Sequence, residues 1–201
     1  MAVRTIGVNG DGARDMNHPA RAMRASRPWV IAALWAVARV WVGWQFLSAS
    51  LEKIGAPVWT GAHAGMALSG FLAFATSPPM IGGPHPNVLA PYAWTATHLF
   101  LPHAALLSYL VSAGEFFVGA ALILGLGTRL AAVGGLFLNA QYMLAGSAGI
   151  NVPMFAIEMS IAWAGITAGL IGMDAVALPY LKGLYVQYRR RVAREPQRLV
   201  A

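Results

Sequence analysis

Four apolar runs divide the chain: residues 28–50, 103–126, 130–150 and 153–173. Each is about as long as the roughly 20 helical residues that cross a bilayer core. Gly127 and Thr128 break the second run from the third. Asn151 before Pro153 has the form of a helix cap followed by a first-turn proline. Between the first and second runs lies a stretch from Glu52 to Leu101, whereas most bundle connections run about 2–8 residues. Within it, residues 60–76 are apolar, glycine-rich and too short to span, which predicts a re-entrant or interfacial helix. Residues 77–87 (SPPMIGGPHPN) predict a turn-rich loop with no helix. Residues 91–102, with Tyr92, Trp94 and His98, predict an amphipathic segment at headgroup level. The expected fold is all-α: an integral membrane four-helix bundle with an extracytoplasmic helical or re-entrant cap over residues 52–101. The membrane domain covers 28–182, between a disordered basic tail at 1–27 and a second basic tail at 183–201.

Composition agrees with this pattern. Apolar residues make up 58% of the 201 and charged residues 10%, against about 25% charged in an ordinary globular domain. So few charges cannot dress a water-facing surface. The net charge of +7 is concentrated outside the runs: five arginines precede the first, Arg129 sits in the break at 127–129, and Lys182 with five arginines follows the last. The positive-inside rule therefore places both termini and Arg129 in the cytoplasm of a multi-pass cell-membrane protein. The tails read as topology determinants drawn to anionic lipid. No basic, aromatic-interleaved platform for nucleic acid is present. A cleaved signal peptide is not expected, because the first run is too long, carries Arg39 and follows a 27-residue leader. The absence of cysteine excludes disulfides, thiolate metal sites and cysteine nucleophiles.

The candidate chemistry lies inside the runs. A charge at bilayer centre costs about 2.5–3.5 kcal/mol on insertion scales, so such residues should point inward and pair. Helical spacing puts Ala32, Trp35, Arg39, Gly43, Phe46 and Ser50 on one face of the first run, with Lys53 a turn beyond. Ser108, Ser112, Glu115, Gly119 and Leu122 share a face of the second, and Gly135, Asn139, Tyr142 and Gly146 a face of the third. Glu158 begins a small-residue seam through Ala162, Gly165, Gly169 and Gly172 on the fourth. Arg39, Glu115 and Asn139 fall at similar depth, which predicts an Arg39–Glu115 pair with the Asn139 amide beside it. Such a cluster serves either as structural glue or as a proton or ligand site. His63, His85, His98 and His103 lie in or beside the cap without a metal-ligand spacing, so interfacial histidines are expected rather than a metal centre.

Several stretches carry a resemblance: GWQFLSASLEKI (43–54), HPNVLAPYAW (85–94), residues 101–135 with Glu115 and the GLGTR break, NAQYMLAGSAGIN (139–151) and IGMDAVALP (171–179). Through them the chain resembles the DoxX/DoxD family of four-helix membrane proteins over about residues 28–182. That family includes the large subunit of thiosulfate:quinone oxidoreductase. The resemblance implies oxidation of thiosulfate to tetrathionate with electrons passed to membrane quinone. It points to Arg39, Lys53, Glu115, Asn139 and Asn151. Glu115, Arg39 and Asn139 would orient quinone and handle its proton. Lys53, Asn151, and His63 or His103 when protonated, would hold the thiosulfate dianion, and Trp35, Trp44 and Phe46 would form apolar walls for the quinone. Expected partners are lipid, quinone, a separate small DoxA-like subunit or a respiratory complex, and a second copy of the chain. No flavin, haem or metal-cluster motif appears. The alternative is a non-catalytic scaffold or accessory subunit of a respiratory or redox-stress complex.

Overall fold

The computed structural model describes residues 18–198, with side chains described for 29–189. Every regular element among them is helical. The elements are α1 His18–Gly55, α2 Pro57–Thr60, α3 Met66–Ala75, α4 Pro78–Ile81, α5 Ala90–Thr95, α6 Ala104–Leu124, α7 Thr128–Leu144, α8 Asn151–Ala164 and α9 Asp174–Arg198. A π-helical turn (Ala96–Phe100) and a 3₁₀ turn (Leu101–His103) join α5 to α6, and a 3₁₀ stretch, Gly165–Gly169, follows α8. The chain divides at Ile31 into a short first unit and a second that begins at Ala32. The packing and sites below belong to the second.

Three stretches are long and apolar enough to cross a membrane: Trp29–Gly55, Ala90–Leu124 and Asn151–Gly169. The third expected span is a helix of 17 residues, at the short end of the spanning range. The second begins at Ala90, not at 103, because the amphipathic segment expected at 91–102 winds directly into α6 through the π and 3₁₀ turns around Pro102. The fourth apolar stretch ends at Gly169, short of 173, after α8 stops at Ala164.

Two further expectations are corrected. Residues 77–87 were expected to contain no helix, yet Pro78–Ile81 forms one turn. Proline is accommodated in a first turn, where its missing N–H has no intrahelical partner to lose. The basic tail expected to be disordered at 1–27 is helical from His18, while the second basic tail, for which no conformation was expected, is helical to Arg198. The remainder of those tails, 1–17 and 199–201, lies outside the described residues. In the expected cap, α3 is the short apolar helix anticipated within 60–76.

One apolar core unites four helices. Val42 and Phe46 of α1, Leu122 of α6, Ala131 and Ala132 of α7, and Met154 and Ile161 of α8 pack together with Ala168. The spacing-derived inward faces appear in it: Ser108, Ser112, Glu115, Gly119 and Leu122 are all buried on α6. Helices α1 and α6 run antiparallel and touch backbone to backbone at Gly43 and Gly119. A Cβ on Gly119 would fall 2.7 Å from the Gly43 carbonyl oxygen. Ser50 Oγ donates to the Ser112 carbonyl at 2.8 Å, and Ser108 Oγ to the Trp59 carbonyl at 2.6 Å. Serines thus lace α1 and α2 to α6 while satisfying their own hydroxyls.

At the other end, Gly125 and Gly127 adopt left-handed conformations (φ 66° and 59°) in the turn between α6 and α7. A Cβ on Gly125 would also fall 2.5 Å from Arg39 Nη1, whereas one on Gly127 would meet nothing. Gly125→Ala is therefore expected to destabilise the fold by about 1–3 kcal/mol, from left-handed strain and overpacking together. Gly127→Ala should show the strain alone. Denaturation midpoints of the two variants in one detergent check the difference.

Candidate functional site

The centre of the site is Glu115. It is almost wholly buried, and both of its oxygens are engaged. Lys53 Nζ lies 2.6 Å from Oε2, and the Tyr142 hydroxyl donates to Oε1 at 2.5 Å. Lys53 also sits 5.2 Å from the centroid of the Trp59 ring, within cation–π range. Three helices meet here: α1 supplies the cation, α6 the carboxylate and α7 the phenol.

The expected Arg39–Glu115 pair is not formed. Gly43 faces Gly119, so Arg39 lies four residues to one side of that crossing and Glu115 four residues to the other. At 1.5 Å per residue they are offset by roughly 12 Å along the bundle. Side chains on a helix lean toward its N-terminus. Arg39 therefore reaches away from Glu115, while Lys53 leans back toward it.

The Arg39 guanidinium ends at the α6–α7 turn. Nη1 donates to the Ala168 carbonyl at 2.9 Å and Nη2 to the Ile171 carbonyl at 2.5 Å, with Thr128 Oγ1 3.5 Å from Nη1. Ala168 is in the last turn of the 3₁₀ stretch, where a cation is favourably placed, and Ile171 lies just beyond it. Asp174 completes this polar knot by accepting from the backbone N–H groups of Gly127 (2.7 Å) and Thr128 (2.8 Å) at the start of α7. The knot ties the entry to α9 onto the α6–α7 turn, a structural task remote from Glu115.

Asn139 pairs with a different carboxylate from the one expected: its Nδ2 donates to Glu158 Oε2 at 2.9 Å. Both residues are fully buried, and Asn139 Oδ1 and Glu158 Oε1 have no hydrogen-bond partner. The Glu158 carboxylate lies directly over Gly135, where a Cβ would collide with it. Asn139 nonetheless shares a partly open cavity of about 240 Å³ with Glu115 and Tyr142, whose walls include Gln45, Ser48, Glu52 and Asn151. Asn151 itself donates to the Ser147 carbonyl at 2.7 Å.

Other predicted residues stand apart. His63 and His103 are exposed, and His103 Nδ1 lies 2.9 Å from the Leu99 carbonyl one turn back. Trp44 is 59% exposed on the outer face of α1, Trp35 packs against the core, and Phe46 is inside it. The three therefore form no common wall. An apolar pocket of about 150 Å³ lies elsewhere, between α3, α5, α6 and α7, and is lined by Leu68, Phe71, Tyr92, Leu107, Phe137 and Tyr142 among others. Tyr142 borders both spaces, its hydroxyl on Glu115. The sequence placed Tyr142 on the inward face with Asn139 but gave no reason to single it out. Asp174 carries a recognisable sequence signal, an acidic residue opening a helix. Among the described residues, no three His, Cys, Asp or Glu side chains converge as metal ligands would.

No curated protein and no solved structure matches the chain. Residues 94–146 match the model of the DoxX family. The chain is thus a membrane protein in which the segment carrying Glu115, Asn139 and Tyr142 matches that family.

Proposed function

We propose that this chain is the quinone-facing membrane subunit of an oxidoreductase that draws electrons from thiosulfate. Two thiosulfate anions joined through a new S–S bond give tetrathionate and release two electrons; quinone takes up those electrons with two protons to become quinol. The observation that supports the reading is the position of Tyr142. Its ring borders the apolar pocket and its hydroxyl meets Glu115 at the polar cavity. A quinone ring suits the aromatic walls of the first space. The Tyr142–Glu115–Lys53 chain offers a route for a proton from the second.

This assignment moves quinone from Trp35, Trp44 and Phe46 to the pocket at Phe71, Tyr92 and Phe137. It also bears on the donor. The cavity walls include Glu52 and Glu115, and Lys53 is already neutralised by Glu115. A dianion gains little there, so thiosulfate oxidation is assigned to a separate small partner subunit. Both termini are kept on the cytoplasmic side by the distribution of basic residues. The scaffold reading draws on the Gly43–Gly119 contact and on the fully engaged Glu115, both of which also suit structural glue.

The test is thiosulfate-dependent reduction of a soluble quinone analogue by the purified protein, with and without co-purifying partners. Activity that appears only with a partner supports the proposal. Under it, Tyr142→Phe is expected to slow reduction by about 10²–10⁴-fold, the usual contribution of a positioned proton donor. Absence of both activity and quinone binding in the partnered preparation would leave the scaffold.

A further inference from the structure

Helix α9 begins at the end of the bundle where α6 and α7 meet. The Met173 N–H donates to the Leu124 carbonyl at 3.0 Å, and the Asp174 N–H to the Gly125 carbonyl at 2.8 Å. Asp174 in turn holds the first N–H groups of α7. The helix therefore starts level with the end of the Ala90–Leu124 apolar stretch, where a membrane-crossing segment leaves the hydrocarbon. From there α9 runs for 25 residues.

Most of its described apolar residues are exposed. Leu181, Leu184, Tyr185 and Tyr188 recur at intervals of three and four, which places them on one face, and all are 44–66% exposed. Lys182 and Arg189, seven residues apart, run along the flank of that stripe, and the Arg189 guanidinium carbon lies 6.0 Å from the centroid of the Tyr185 ring. The sequence continues with Arg190, Arg191, Arg194 and Arg198 against a single acidic residue, Glu195. Arg129, exposed one residue into α7, adds charge at the same end of the bundle.

The basic residues decide among possible occupants. A tail this cationic disfavours an apolar protein groove and disfavours pairing with a second α9 of like charge. It also stops the helix from crossing the bilayer. An apolar stripe bordered by Lys, Arg and Tyr, beginning at the membrane boundary, has the composition of a helix lying in the interface. We infer that α9 is an anionic-lipid-binding helix, lying along the membrane surface with Leu181, Leu184, Tyr185 and Tyr188 in the acyl boundary and its basic residues among acidic headgroups. Each such cation strengthens surface binding by about fivefold at physiological ionic strength, and salt should weaken the attraction.

The natural absence of cysteine makes the test direct. Full-length Leu184→Cys and, on the opposite face where a Cβ meets nothing, Gly183→Cys proteins are placed singly in lipid nanodiscs, of neutral phosphatidylcholine or of phosphatidylcholine with phosphatidylglycerol. Reaction with a membrane-impermeant maleimide is then timed. The expected result is that Leu184→Cys reacts at least about fivefold more slowly in the anionic discs, while Gly183→Cys reacts at the same rate in both. High salt, or replacement of Arg189, Arg190 and Arg191 by Gln, should restore the Leu184→Cys rate. Equal rates for Leu184→Cys in the two lipids would overturn the assignment. So would protection of both cysteines alike, or protection that appears only when two copies share a disc, which would make a second chain the occupant.

Discussion

Under the proposed function, Glu115→Gln is expected to abolish quinone reduction, and in any case to leave the Lys53 ammonium without its counter-charge. Lys53 is 17% exposed and Glu115 3%, so the pair is held largely out of water. Removing one partner of such a pair typically costs about 3–5 kcal/mol, because the remaining charge stays desolvated. Glutamine fits the space and still accepts from Tyr142, but its amide then presents a donor to the Lys53 donor. A second variant separates chemistry from stability. Lys53→Met combined with Glu115→Gln removes the stranded cation and is expected to recover much of the lost stability. If Glu115 carries the proton, that double variant remains inactive. Recovery of quinone reduction along with stability would instead assign Glu115 a purely structural part. Thermal unfolding in detergent and the quinone assay, run on the same preparations, decide between these.

Gly119→Leu should disrupt the bundle strongly. The space a side chain would need there is occupied by backbone: the Gly43 carbonyl oxygen and the Leu47 nitrogen both lie 2.7 Å from the position of a Cβ. Backbone cannot rotate aside as a side chain can, so α1 and α6 must separate. Overpacking of this kind costs about 1–3 kcal/mol for a modest insertion, and a whole leucine exceeds that. Separation also carries Lys53 away from Glu115, since the two residues sit on the helices being pushed apart. The expected outcome is a lowered unfolding midpoint together with loss of quinone reduction. Gly114→Leu is the control on the same helix, because a Cβ there meets only Leu138 methyl groups at 3.8–3.9 Å. Equal effects of the two substitutions would contradict the close-crossing account.

Much of this arrangement was legible from spacing. The inward faces of α1 and α6 follow from residues at intervals of three and four. Arg39, Gly43, Phe46 and Ser50 are buried, as are Ser108, Ser112, Glu115 and Gly119. The reason is physical: a polar group in an apolar run must turn from lipid, and the helix period then fixes which neighbours turn with it. A break at Gly127 and Thr128 was legible too, though the structure starts the turn two residues earlier, at Gly125, where φ is also positive. Depth was not legible. Counting along each run put Arg39, Glu115 and Asn139 at one level, but the antiparallel register set by Gly43 against Gly119 separates the first two. The lean of side chains toward the α1 N-terminus then sends Arg39 one way and brings Lys53 back to the carboxylate. Helical continuity was equally hidden at Pro102, where π and 3₁₀ turns let α5 run into α6.

The sequence by itself determined that this chain is helical, apolar and suited to a membrane, which residues turn inward, and where its basic charge gathers. Those properties follow from composition and the helix period, both local to the chain. Only the tertiary structure decided the partners: Lys53 and Tyr142 on Glu115, Asn139 on Glu158, Arg39 on the carbonyls of Ala168 and Ile171. Partner choice depends on axial register between helices and on the direction each side chain leans. Register is fixed by close backbone contacts between residues 76 positions apart in sequence, such as Gly43 and Gly119, and no periodicity within a single run encodes it.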